Sequence, residues 1–227
     1  MKLESEMQRL ISDFSDLLAK HRAWNLTESE DFNLFRVLNI GHRETKLHTP
    51  LLRELFDAEG THGQGALFFR TFLKQLHLKL GSRTFSTLDV LDYVQDQFDG
   101  SYKCRTEISD PDTGRMDLII ERVGKEPSFC IVIENKIYAR EQENQLQRYG
   151  QYLVKHPAPP AQKHLVYLHA LAHDHAPTTA GLDVAGRVIV MRYQDEICAM
   201  LRECLSRVEA PRLKEPLRQY VELIEAL

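Results

Sequence analysis

Apolar residues recur along this chain with two different periods, and the change from one to the other divides it. Leu3, Met7, Leu10, Ile11, Phe14, Leu17 and Leu18 fall at helical spacing, which predicts an amphipathic helix over the first twenty residues with one buried stripe. Asp31 to Arg43 repeats the pattern through Phe32, Phe35, Val37, Leu38 and Ile40. Thr49-Pro50 has the form of an N-cap followed by a proline in the first helical turn, and Leu51, Leu52, Leu55 and Phe56 run on until Gly60. A further helix is expected from Gly65 to Leu80, so residues 1–80 read as a helical N-terminal layer.

From Ser101 the period shortens. Ser101 to Ile108, Arg115 to Glu121 and Phe129 to Asn135 are rich in β-branched and aromatic residues, with turn signals at Asp110-Pro111-Asp112-Thr113-Gly114 and Val123-Gly124-Lys125-Glu126-Pro127 between them. These predict three antiparallel strands. A helix from Ala139 to Lys155 then leads to strands at Lys163 to His169 and Val188 to Tyr193, a crossover arrangement that makes the sheet mixed. Gln194 to Val208 and Leu213 to Leu227 close the chain as helices. With no repeat, low-complexity tract or linker in view, the expected fold is one α/β domain over 1–227, a mixed central sheet flanked by helices.

Composition narrows the class. The chain has 227 residues and is 43% apolar, enough to bury an ordinary core without staples. Cys104, Cys130, Cys198 and Cys204 show no Cys-x-x-Cys spacing and read as small buried hydrophobes. The longest apolar run, Phe129 to Ile133, is far shorter than the roughly 20 residues of a membrane span, and the acidic N-terminus lacks a signal-peptide pattern. A cytoplasmic location with no membrane contact is therefore expected. Lys and Arg number 29 against 33 Asp and Glu, a formal charge of −4. Proteins that grip DNA through many phosphates usually advertise a basic surface. A nucleic-acid ligand would here have to be met by a local basic patch and by metal ions that offset the acids.

The candidate chemistry lies in Gly114-Arg115-Met116-Asp117-Leu118-Ile119-Ile120 and Cys130-Ile131-Val132-Ile133-Glu134-Asn135-Lys136. Glu134 and Lys136 are two apart on a strand, so their side chains leave the same face. A hairpin turning at Lys125-Glu126 would put Asp117 opposite Glu134. Two carboxylates at the end of an apolar sheet repel each other unless a cation lies between them, and such hard oxygen donors suit Mg²⁺ or Mn²⁺. A lysine beside them can position an attacking water and offset charge on a phosphoryl group. An Asp followed later by Glu-x-Lys is common by chance. Its enclosure by Leu118-Ile119-Ile120 and Ile131-Val132-Ile133 is not, because buried acids are costly without a task.

Gln145 and Tyr149 are four apart and share one face of the next helix, where an amide and a phenol can bond a phosphate or orient the lysine. Arg140, Arg148 and Lys155 form a local basic strip that could equally be a solvated helix face, and His48 and His62 flank the helix near Glu44, as substrate contacts or as cap and turn residues. His169-x-x-x-His173-x-His175 offers a rival zinc chemistry, without the glutamate of a His-Glu-x-x-His helix.

Asp117, Glu134-Asn135-Lys136 and Gln145-x-x-x-Tyr149 together resemble the PD-(D/E)xK nuclease superfamily, in the branch that carries the extra Gln-x-x-x-Tyr motif. The tract Glu44-x-x-x-His48-Thr49, with Leu51, Leu52, Leu55 and His62-Gly63-x-Gly65, is similar to the N-terminal signature of one bacterial family within it. Met116 stands where the motif's proline would be, a position that ligates nothing. The resemblance covers about Glu44 to Leu201. It implies a restriction-endonuclease-like core, with Asp117, Glu134 and the Asn135 carbonyl as metal ligands and Lys136 as the water-positioning lysine. Glu44 would be a carboxylate near a second metal, and Gln145 and Tyr149 would support the site and the scissile phosphate.

The expected activity is Mg²⁺- or Mn²⁺-dependent hydrolysis of DNA, with RNA left open, in a bacterial defence or genome-maintenance setting. Its alternative is a catalytically idle member of the fold that binds nucleic acid or protein. Cutting both strands of a duplex takes two sites, which a homodimer would supply, and the N-terminal helix with Trp24-Asn25-Leu26 is the place to look for its contacts.

Overall fold

The computed structural model describes residues 2–80, 102–110, 114–123, 128–139, 142, 144–170 and 188–227. Arg140, His173, His175 and the expected turns at 111–113 and 124–127 lie outside them. Five strands form one sheet in the order β1 to β5: Lys103–Asp110, Gly114–Arg122, Phe129–Lys136, Lys163–His169 and Val188–Arg192. β2 runs antiparallel to both β1 and β3, whereas β4 runs parallel to β3 and β5 parallel to β4. The α/β fold with a mixed sheet is thus as expected. Helices among the described residues are α1 (Lys2–Glu28), α2 (Leu34–Val37), α3 (Thr49–Phe56), α4 (Leu67–Leu80), α5 (Gln145–Lys155), α6 (Cys198–Leu205) and α7 (Pro211–Glu225). None is long and apolar enough to cross a membrane.

β3 is buried at all eight positions, which is why its sequence is a continuous apolar run rather than an alternation. Its two faces enter two cores. Ile131 and Ile133 join Leu118, Ile120, Val166 and Leu168 beneath α3, α4, α6 and α7, in a core rich in Phe56, Phe69 and Phe72. Cys130 and Val132 join Ile119, Leu165 and Tyr167 against Leu146, Tyr149 and Leu153 of α5. The crossover β3–α5–β4 therefore covers one face, and the N- and C-terminal helices cover the other.

Three local expectations are corrected. The helical pattern over Asp31 to Arg43 yields only the single turn α2, capped by Asn33, whose side chain accepts from Phe35 N and Arg36 N and donates to Gln219 O at 2.7 Å. Asn39, at φ +49, ends it. The helix expected from Ala139 begins at Gln145, after Asn144 in the left-handed region. The apolar stripe of α1 is exposed, not buried: Leu3 to Leu18 remain 40–77% accessible.

Two π-helical turns, Glu44–His48 and Tyr193–Ile197, lead directly into α3 and α6. Because the first is continuous with α3, Thr49 is not its N-cap, and its hydroxyl is free to serve elsewhere.

His164 of β4 alternates with Val166 and Leu168 and so faces the larger core, where its Nε2 has no hydrogen-bond partner. Burial pushes its pKa down to about 4. Between its unfolded value of about 6.5 and that folded value the unfolded chain binds the proton and the native chain does not, so stability falls as pH is lowered through this window, by up to about 3 kcal/mol. Urea denaturation of wild type beside His164→Leu should show this part of the pH dependence only in wild type. Parallel pH profiles would contradict it.

Candidate active site

The register of β2 and β3 ends at Leu118↔Ile133, and one further step sets Asp117 against Glu134, as the hairpin midpoint predicts. Instead of a backbone pair at this point, Asp117 Oδ2 accepts the N–H of Asn135 at 3.0 Å. In a strand the N–H and C=O of one residue point to the same side, so the Asn135 carbonyl also faces the gap occupied by Asp117. The carbonyl of Lys136 points the other way, to the N–H of Ala170.

The position of Asp117 depends on an irregularity in β1 and β2. Pairing is present at Thr106↔Leu118 and Ile108↔Met116 but skips Glu107, which lies at φ +52 opposite Asp117. Met116 and Leu118, two apart, pack into opposite cores, so the alternation of β2 breaks at Asp117. Such strand distortions re-aim side chains next to functional sites.

Glu134 is fully buried, and its Oε1 lies 2.5 Å from Lys136 Nζ. Its Oε2 is buried with no hydrogen-bond partner. Burial first, then the neighbouring Asp117 charge, push the Glu134 pKa up to about 8, against the pull of Lys136. Burial likewise raises Asp117, although the Asn135 N–H and Lys136 oppose it. Burial alone would lower Lys136, but Glu134 and Asp117 outweigh it and keep the ammonium charged. The result is a site where two acids share one cation, and Glu134 gives up its proton reluctantly.

Glu44, in the first π-helical turn, approaches from the far side of β3. Its Oε1 accepts the N–H groups of Ile137 at 2.6 Å and of Tyr138 and Ala139 at 3.1 Å each. The carboxylate thereby clamps the segment that follows Lys136. On α5, Gln145 Nε2 donates to the Tyr149 hydroxyl at 3.0 Å, and that hydroxyl donates to Arg115 O at 2.7 Å. The Gln-x-x-x-Tyr pair thus fixes α5 to the start of β2, beside the acids. Burial, then the charge of Glu134, raise the Tyr149 pKa, so the phenol stays protonated.

The structure brings together Glu44, Asp117, Glu134, Asn135, Lys136, Gln145 and Tyr149. His48 shares its turn with Glu44, but the ring nitrogens of His48 and His62 are engaged elsewhere. His48 is fully buried, donating from Nε2 to Gly41 O at 2.7 Å and accepting the Tyr220 hydroxyl at Nδ1 at 2.8 Å, an arrangement that ties the π-helical turn to α7. His62 accepts Gln64 N and reaches Asp57 O, closing the turn after α3. Both have the geometry of structural tethers. Arg148 is half-buried near Gly114, with Nη2 3.5 Å from Gln142 Oε1.

The side chain of Asn135, which motif reasoning used only for its carbonyl, holds a second network. Its Nδ2 donates to Thr49 Oγ1 at 2.9 Å and its Oδ1 accepts the Tyr193 hydroxyl at 2.9 Å. The start of α3 and the second π-helical segment are so joined to the strand that carries Glu134 and Lys136. Tyr193 and Tyr220 were missed because an aromatic residue at a strand end or on an apolar helix face gives no sign of what its hydroxyl meets.

Among the described residues a second group, Glu121, Cys130 and His156, has donor atoms close enough to share an ion. The N–H of Ala158 donates to His156 Nδ1, so the ring proton resides on Nε2 and points at Glu121 Oε2, 3.1 Å away. Arg105 pairs with the other Glu121 oxygen. This is a closed polar network. His169, of the rival zinc reading, is buried with Nδ1 against Ala170 O.

A mixed sheet with an aspartate on one strand and Glu-x-Lys on the next, at the sheet end where a helix brings Gln-x-x-x-Tyr, has the form of a nuclease core. The family model described as PD-(D/E)XK nuclease superfamily matches residues 32–222, and the chain belongs to that superfamily. Its members are generally nucleases that use divalent metals. No curated protein and no solved structure matches the chain significantly.

Asn135→Ala removes both bonds of the network behind the site, leaving the Tyr193 hydroxyl only Tyr220 as a neighbour, so a loss of about 1–2 kcal/mol is expected in urea denaturation. A change below about 0.5 kcal/mol, within the range of ordinary surface substitutions, would contradict that role.

Proposed function

We propose that the chain is a Mg²⁺- or Mn²⁺-dependent deoxyribonuclease. The observation that carries this reading is the buried Glu134, with one oxygen unpartnered, beside Asp117 and Lys136. Two carboxylates and the Asn135 carbonyl form a hard, all-oxygen donor set, which fits either ion. Asp117, Glu134 and Asn135 would hold the metal, and Glu44, whose Oε1 is engaged with backbone amides, would offer its other oxygen to a second one. Bound there, the metal would lower the pKa of a water and polarise the phosphoryl oxygen.

The residues of the chain supply the rest. Lys136 orients the attacking water and offsets charge that develops on the phosphorus oxygens. Gln145 and Tyr149 keep α5 and the strand in register, and Arg148 and Arg140 are the proposed contacts for the nucleic-acid backbone. The substrate is DNA, with RNA left to the test below, in a bacterial defence or genome-maintenance role, inside the cell.

The test is incubation of the pure protein with supercoiled, linear and single-stranded DNA and with RNA, in Mg²⁺, Mn²⁺ or EDTA. Asp117→Ala and Lys136→Ala should each lower cleavage at least about 100-fold. Tyr149→Phe, which acts through positioning, should cost about tenfold. Cleavage that persists in EDTA or in Asp117→Ala would overturn the proposal, and binding without cleavage of any substrate would favour an idle member of the fold.

A further inference from the structure

We propose that α1 is a dimerisation element that pairs with α1 of a second copy in antiparallel orientation. The helix precedes the matched residues 32–222, so it is an addition to the nuclease core. Its apolar residues follow a heptad pattern: Leu3, Leu10 and Leu17 are seven apart, Met7 and Phe14 are seven apart, and the steps between the two sets alternate four and three. Ile11 and Leu18 widen the stripe on one side. Every one of these residues is exposed.

None of the described residues covers this stripe. Asn25 and Asp31 exchange two hydrogen bonds, Asn25 Nδ2 to Asp31 Oδ2 at 3.0 Å and Asp31 N to Asn25 Oδ1 at 3.2 Å, and these set the direction in which α1 leaves the core. His21 lies 3.6 Å from Asp31 of its own chain and ends the apolar seam. At roughly 100 Å² of apolar surface per large side chain, two such helices withdraw on the order of 1,000 Å² from water, the area at which a specific interface begins.

Charge decides the orientation. Glu6, Asp13 and Lys20 occupy the same flanking heptad position. In a parallel pair Glu6 and Asp13 would face Ile11 and Leu18, with no charge matched. In an antiparallel pair Leu10 faces Phe14 and Leu17 faces Met7, Ile11 meets its own copy, and Glu6 meets Lys20 of the second copy twice over. Asp13 meets its own copy at the axis, one repulsion against two attractions.

The test is sedimentation velocity of the full chain at micromolar concentration. Wild type should be a dimer, and Leu10→Glu with Phe14→Glu a monomer whose near-UV circular dichroism and thermal unfolding match those of the core in wild type, since both side chains are exposed. Glu6→Lys should weaken the dimer about tenfold, and Glu6→Lys with Lys20→Glu should restore it. A wild-type monomer, including one that sediments with anionic vesicles instead, would overturn the proposal. So would a dimer that survives the double glutamate variant or is indifferent to Glu6→Lys.

Discussion

Glu134 and Lys136 are buried and Asp117 is half-buried at the ends of two adjacent strands, and much of the surrounding structure serves to hold these three groups there. Taking charged groups out of water is costly, and Asp117 and Glu134 share one lysine. A carboxylate oxygen left unpartnered in such a place is unfavourable for the folded chain alone. It is useful only where something cationic completes it.

The support is built from backbone and from neutral side chains rather than from more charge. The N–H of Asn135 fixes Asp117, and the amide of the same residue joins Thr49 and Tyr193 on the opposite face of β3. Glu44 gathers three successive N–H groups just beyond Lys136. Gln145 and Tyr149 bind α5 to the carbonyl of Arg115. Every one of these contacts orders a residue within three positions of Asp117, Glu134 or Lys136. The two π-helical segments contribute Glu44 and Tyr193, in keeping with the frequent use of such turns at functional sites.

Much of this was legible in the sequence because it follows from period and chemistry. The antiparallel β1–β2–β3 arrangement and the parallel return through α5 follow from short β-branched runs and the helix between them. The pairing of Asp117 with Glu134 follows from the turn midpoint. The distortion that aims Asp117 was not legible, since it rests on Glu107 in a left-handed conformation, and nothing in the residue type requires it. The roles of His48 and Asn135 were also hidden. A histidine near a candidate site reads as a substrate contact or as a cap until its partners, Gly41 and Tyr220, are seen. The exposed stripe of α1 shows the converse limit: periodicity reveals that a face is apolar, but not which surface covers it.

Divalent metal binding at the Asp117 and Glu134 carboxylates is the central claim, and isothermal titration of the pure protein with Mn²⁺, in the absence of nucleic acid, tests it most directly. Saturable binding in wild type that is lost in both Asp117→Ala and Glu134→Gln, and retained in His156→Ala, is the expected result. No binding in wild type, or binding of equal affinity in Asp117→Ala, would contradict it.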